Sequence, residues 1–337
     1  MNVSTPVGEA TDPPRRRLAF GLDRFSGLYL WAIFIVTFGI WEPHLFLTVA
    51  TLHTVADNQA MAGIMALAVL VPLSCGAYDL SVGSVANLST VVVIWAQTSQ
   101  HLNMGLAIAI AIAISAAAGA LNGILIVRLR INSFIVTLGT ATVFTAVQGI
   151  VSGEQQPLPP ITPAWGNLTQ TTIGGFQIVL LYLIVIALIV WWALEHTPGG
   201  RYVYATGGNI NAARLAGVRV DLWMFVSFVV SATLSGVVGV LYGSLYGPAL
   251  SYGQVLLLPA FAAVFLGSTQ LKRGRYNVWG SLIAVYVLAT GVEGLSLLTG
   301  VQWLNDMFDG IALIVAVGFA GWRQRQAVSF SLKRRSG

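Results

Sequence analysis

Residues 61–96 read MAGIMALAVLVPLSCGAYDLSVGSVANLSTVVVIWA, two apolar runs joined by the polar corner Cys75-Gly76-Ala77-Tyr78-Asp79-Leu80-Ser81-Val82-Gly83-Ser84. Asp79 is the one charged side chain between Asp57 and Arg128. Each run has the length of about 20 residues that a helix needs to cross a hydrocarbon core of ~30 Å. The stretch therefore reads as two membrane spans, 58–75 and 80–98, with a carboxylate at their junction.

The rest of the chain repeats the pattern. Of 337 residues, 56% are hydrophobic and 9% charged, where a soluble domain carries about 25% charged residues. So little polar surface cannot cover a water-exposed globule, and the expected class is an all-α polytopic membrane protein. Further spans fall at 26–42, 104–127, 132–151, 177–194, 221–243, 256–270, 277–298 and 306–322, ten in all. Cytoplasmic loops collect positive charge, and this tests the count. With the amino terminus inside, all 17 Lys and Arg residues fall on inner segments, while the outer loops hold acids such as Glu42, Asp57, Glu154, Asp306 and Asp309. Ten helices with both termini cytoplasmic satisfy that distribution.

Three regions follow: a cytoplasmic tail over 1–24, a single transmembrane domain over 25–322, and a basic cytoplasmic tail over 323–337. The first tail has Pro13-Pro14 and Arg15-Arg16-Arg17 but no cleavable apolar core. Cys75 stands alone, so no intrachain disulfide forms. The net charge of +5 is spread between apolar spans, which fits membrane topology and not nucleic acid. An outer loop over 152–176, with Pro157, Pro159 and Pro160, is expected to be irregular, with Trp165 and Leu168 packing on the protein or at the membrane interface. His53 and His101 are expected in or near outer loops, in water. No Cys/His spacing suggests a metal.

The inner loop, 195–220, is longer than a turn requires. Asn209 is a suitable helix N-cap and Gly217 a suitable left-handed C-terminal residue. Between them Ile210 to Ala216 give about 10 Å of helix, too short to persist without packing. Gly207-Gly208 reads as a hinge ahead of it. Ala212, Leu215 and Ala216 share one face by i, i+3, i+4 spacing, and Arg214 points elsewhere, toward an acid on a partner.

These residues resemble a family. Arg201, Tyr202, Tyr204, Ala205, Gly207, Gly208, Asn209, Ala212, Ala213, Arg214, Leu215, Gly217 and Val218 are similar to the inner loop of permeases in ribose/galactose-type sugar ABC importers. The corner Gly76…Asp79-Leu80-Ser81-Val82-Gly83-Ser84 resembles that family's Gly-Gly-x-Asp-Leu-Ser-Val-Gly-Ser, with Ala77 and Tyr78 departing from it. Asn122-Gly123 and Thr137-Leu138-Gly139-Thr140 also fit. After the eighth span, Gly267-Ser268-Thr269-Gln270-Leu271-Lys272-Arg273-Gly274-Arg275 departs from the family's glycine-rich pattern, and an acid expected before that span is missing.

The resemblance implies the permease of an importer in a bacterial inner membrane. Its implied partners are a second permease copy, identical or not, a cytosolic ABC ATPase and an extracytoplasmic sugar-binding protein. ATP would be hydrolysed by the partner, and the chain itself has no G-x-x-x-x-G-K-[ST] loop and no cofactor of its own. The inner-loop residues Arg201, Gly207, Gly208, Asn209, Ala212, Ala213, Arg214, Leu215 and Gly217 would then couple the ATPase to the spans.

Asp79 is read as a carboxylate that accepts free N–H groups at the start of the third helix, with direct solute contact as the alternative. Gly76 and Gly83 would let backbones approach. Asn87, Asn122 and Gln148 could line a pathway or bond between helices. An aspartyl protease would need a second close carboxylate, and no Gly-x-Gly-Asp sequence supplies one. An ion-coupled secondary carrier using Asp79 and Glu293 is the remaining alternative.

Overall fold

The computed structural model describes residues 25–247, 251–272, 274–301, 303–304 and 307–318. Both expected tails, Arg273, Asp306 and the last residues of the tenth expected span lie outside them. Among the described residues, six helices are long and apolar enough to cross a membrane: α3 (Val49–Ser74), α5 (Met104–Leu129), α6 (Ser133–Ser152), α8 (Ile178–His196), α11 (Val220–Leu245) and α13 (Val278–Thr299). Four shorter apolar helices accompany them: α1 (Ser26–Trp41), α4 (Val82–Thr98), α12 (Tyr252–Gly267) and α14 (Met307–Gly318). Each of the ten expected apolar stretches is thus helical over most of its described length.

At the centre stands α4, buried along nearly its whole length and packed against α5, α6, α11 and α12. α11 packs against α5, α4 and α3. Small residues make this density possible: a Cβ on Gly119 of α5 would lie 2.7 Å from the Ala232 Cβ of α11. That is the close approach expected of helices packing in lipid, where hydrophobic driving force between them is absent.

Several boundaries differ from expectation, each for a physical reason. α3 begins at Val49, with Thr48 accepting a bond from Thr51 N (3.2 Å) as its N-cap. This places His53 and Asp57, expected in an outer loop, within the helix. The Asp57 carboxylate does not end the helix because it accepts a bond from Gln177 N at 3.0 Å. His53 meets Phe176 with ring centroids 4.4 Å apart and is half-buried, not freely solvated.

The outer loop is not irregular throughout. It holds α7 (Pro163–Gln170) and a hairpin of β1 (Thr172–Ile173) and β2 (Phe176–Gln177). Pro163 sits in the first turn of α7, where its missing N–H costs nothing. Trp165 is buried, and its carbonyl accepts from Ser244 Oγ of α11 at 2.6 Å, fixing the loop to the bundle.

The inner loop also holds more helix than expected: α9 (Pro198–Gly208) precedes α10 (Ile210–Leu215). Thr197 caps α9 by accepting from Gly200 N at 3.2 Å. Gly207-Gly208 is therefore the last turn of a helix, not a hinge.

Candidate functional site

The corner between α3 and α4 is built first. α3 ends after Pro72, and Gly76 takes φ +82°, the left-handed region that a residue with a Cβ resists. The chain then runs extended to Ser81, the N-cap of α4. Asp79 lies two residues ahead of that cap and is wholly buried. Its Oδ1 accepts from Ser81 N (3.0 Å) and Ser81 Oγ (2.6 Å), and its Oδ2 accepts from Ser231 Oγ of α11 (2.9 Å).

The carboxylate is therefore not the direct cap expected of it, since it reaches none of the first free N–H groups inside α4. It holds the cap residue in place and ties it to α11. The network continues outward: Asn122 Nδ2 of α5 donates to Ser81 Oγ at 2.8 Å, and Thr140 Oγ1 of α6 donates to Asn122 Oδ1 at 2.6 Å. Tyr78 N and Leu80 N donate to Ser133 Oγ and Thr137 Oγ1, both at 3.1 Å. This set joins α4, α5, α6 and α11 at one point.

Ser84 and Asn87 belong to a second group. Asn87 Oδ1 accepts from Gly253 N at 2.7 Å, and its Nδ2 donates to Gln254 Oε1. Ser84 Oγ receives Thr145 Oγ1 at 3.3 Å and Gln254 Nε2 at 3.4 Å. A Cβ on Gly83 would lie 2.7 Å from Gly253 O, so α4 and α12 touch backbone to backbone. Gln148 is buried one turn beyond Thr145 on α6.

On the inner side, α10 has the ends its sequence announces. Asn209 Oδ1 accepts from Asn211 N (3.1 Å) and Ala212 N (3.0 Å). At the other end Gly217 takes φ +81°, with Gly217 N bonded to Arg214 O and Val218 N to Ala213 O, each 3.0 Å. This is the paired closure of a Schellman end. Ala213 faces inward, while Ala212 and Ala216 are exposed and Leu215 is 90% exposed. A helix this short cannot hold itself together, so its surroundings must.

Those surroundings are several. Arg214 approaches Asp221 at the start of α11 (3.7 Å), which also takes both terminal nitrogens of Arg130 at 3.2 and 3.0 Å. The acid expected on a partner is thus met within the chain. Tyr204 of α9 donates its hydroxyl to Tyr276 O at 2.8 Å, and the Arg275 guanidinium lies 3.5 Å above its ring. Burial pushes the Tyr204 hydroxyl up and Arg275 pulls it down; the net shift is upward, so it stays a neutral donor. Lys272 pairs with Glu195 at the end of α8. Arg201 is exposed on the same side.

Gly207 completes the connection. Its Cα packs against Gly76, and any Cβ there would overlap the Ser74 carbonyl oxygen. Nothing lies within 4 Å of a Cβ on Gly208. The inner loop thus rests directly on the corner that carries Asp79. Gly207→Ala is expected to cost about 1–3 kcal/mol, the usual range for forcing a methylene into a packed site. Thermal unfolding in detergent measures it, with Gly208→Ala unchanged or slightly raised as the control.

The residues named from sequence therefore fall into three groups: the Asp79–Ser81–Asn122 network, the Ser84–Asn87 group and the inner loop. Sequence reasoning gave no site role to Ser231, Thr145, Gln254 and Asp221, and none to Thr140 beyond its place in a family motif. A signal existed for Ser231: Ser227, Ser231 and Ser235 recur at intervals of four in an apolar helix, and all three are fully buried.

Comparison with known proteins follows from this geometry. Residues 53–317 match the family model described as branched-chain amino acid transport system / permease component. The chain is 31% identical to the ribose import permease protein RbsC of Bacillus subtilis (strain 168), over 88% of this chain and 91% of that protein. It is 24% identical to the D-allose transport system permease protein AlsC of Escherichia coli (strain K12), over 94% and 98%. It is 26% identical to the fructose import permease protein FrcC of Rhizobium meliloti, over 89% and 86%. No solved structure matches.

Proposed function

Since the chain belongs to the family of branched-chain amino acid transport system permease components, we propose that it forms the translocation pathway of an ABC importer for a sugar or a sugar-like polar solute. It is a multi-pass protein of the inner membrane. All ten apolar helices cross or enter the bilayer, the six long ones and the four short ones alike, with both termini cytoplasmic. An extracytoplasmic binding protein delivers the solute, a second permease copy completes the pathway, and cytosolic ATPase subunits drive it.

One observation carries this reading: an apolar side chain, Leu215, stands 90% exposed on a six-residue helix that is capped at both ends. The chain holds this helix by its two caps, the Arg214–Asp221 approach and packing on α9 and α11, and among the described residues its outer face is left uncovered. Such rigidity is what a lever needs, and the exposed face of Ala212, Leu215 and Ala216 is where the ATPase docks. Support for a sugar comes from the printed functions of the relatives and from buried hydroxyls and amides in α4, α5 and α6.

Uptake tests this. The permease is expressed with the ATPase and binding protein encoded beside it, and labelled D-ribose, D-allose, D-fructose and L-leucine are supplied. Accumulation of a sugar that requires both partners is expected. Leucine uptake, or sugar uptake that persists without the ATPase and collapses with the proton gradient, would overturn the reading.

A further inference from the structure

α12 begins inside the bundle and not at its outer edge. Gly253 in its first turn bonds Asn87 and abuts Gly83, and both belong to the first two turns of α4. α12 is one of the apolar helices assigned above to the bilayer, and its first turn packs on the start of α4. There the surface should be apolar. Val255 and Leu258 of α12 are indeed exposed at 64% and 52%. Gln254 of α12 and Thr145 of α6, which both reach Ser84, are however exposed as well.

Beneath these two sit Ser84 and Asn87, both buried. Asn87 occupies Gln254 Oε1, while the Gln254 amide nitrogen makes only the long 3.4 Å contact to Ser84. A primary amide has two N–H donors, so at least one points away unspent. Burying an amide in hydrocarbon without a partner costs roughly 2–7 kcal/mol, and lipid offers no partner. Water and solute do.

We propose that Gln254 and Thr145, above a floor of Ser84 and Asn87, form a solute-contacting site of the translocation pathway, for a neutral polyhydroxylated solute of pentose or hexose type. This rests on the transport reading above and deepens it. The groups offered are an amide and hydroxyls, each able to donate and accept, which is what sugar hydroxyls require. No ionisable side chain belongs to the group, so an amino acid zwitterion would find neither of its charges matched. Specificity among sugars then depends in part on the amide at 254.

The test uses the full chain in membranes with its ATPase and binding protein, in a Cys75→Ala background. Gln254→Cys and Thr145→Cys are treated with a charged, membrane-impermeant methanethiosulfonate, beside Leu188→Cys on the lipid-facing side of α8 and Arg214→Cys on the inner loop. Because the reactive thiolate forms in water, positions 254 and 145 should react at least about tenfold faster than 188. Reaction at 254 no faster than at 188, with 214 labelled from opened vesicles, overturns the proposal.

In parallel, Gln254→Leu should lower uptake of the transported sugar, normalised to permease abundance, at least about tenfold, since a hydrogen-bonding site that loses its partner discriminates strongly. Unaltered uptake and unaltered preference among D-ribose, D-allose and D-fructose also overturn it. If the unsubstituted complex carries none of the three sugars, the transport reading fails separately, while the labelling still decides whether water reaches the patch.

Discussion

Asp79→Leu is expected to remove most of the folded permease from the membrane. The carboxylate is the acceptor for three buried donors, Ser81 N, Ser81 Oγ and Ser231 Oγ. Each buried donor left without an acceptor costs about 1–3 kcal/mol, against a total stability of about 5–15 kcal/mol for a typical folded protein. Leucine is also branched where the carboxylate was planar, in a corner with no free space. Asp79→Asn should behave differently. Its amide oxygen keeps the bonds from Ser81, and among the described residues no cation pairs with Asp79, so most of the protein should fold and transport. Fluorescence-detected gel filtration of tagged protein reads the amount. A leucine variant that accumulates and transports normally would show that the network does not hold the corner. An asparagine variant that folds but transports nothing would show that the charge itself acts on the solute or an ion.

The second large effect falls on function alone. Ala212→Trp places an indole on the exposed face of α10, beside Leu215 and Ala216 and away from the buried Ala213. Ala212 is exposed among the described residues, so folding and membrane abundance should be unchanged. Docking of the ATPase should fail, because an interface packed to the density of a protein interior has no room for a group this large. Sugar uptake should fall to background, and the ATPase should no longer co-purify. Normal uptake by this variant would reduce α10 to a surface element without a partner.

How legible was this in the sequence? The apolar stretches were readable because hydropathy at membrane length is a signal of composition, independent of any contact. The ends of α10 were readable because Asn209 and Gly217 act through local backbone geometry. α9 was not, because Pro198-Gly199-Gly200 and Gly207-Gly208 mark turns by propensity. It packs on α11 and α8 and, through Gly207, on Ser74 and Gly76, contacts that only the fold supplies. α7 was hidden the same way by prolines, one of which starts it.

Asp79 was recognised as anomalous, but its partners were not found: Ser231 lies 152 residues later, and only the fold brings it near. Around Gln254 the sequence shows only that an acid of the resembled family is missing, while the amide oxygen that accepts from Asn87 is visible only in the fold. Asp57 and His53 lie before the apolar run that begins at 58, yet α3 starts at Val49 and includes both. The backbone donor that satisfies Asp57 comes from Gln177.

The most direct test of the account joins Leu215 to its partner. In a Cys75→Ala permease carrying Leu215→Cys, expressed with its ATPase, a short bismaleimide is added to inside-out membranes. The account predicts a permease–ATPase adduct at 215 that disappears when Ala212→Trp is also present. It further predicts that an impermeant thiol reagent applied to intact cells leaves position 215 unmodified. Absence of the adduct while the ATPase cross-links elsewhere on the permease, or modification of position 215 from outside, would contradict it.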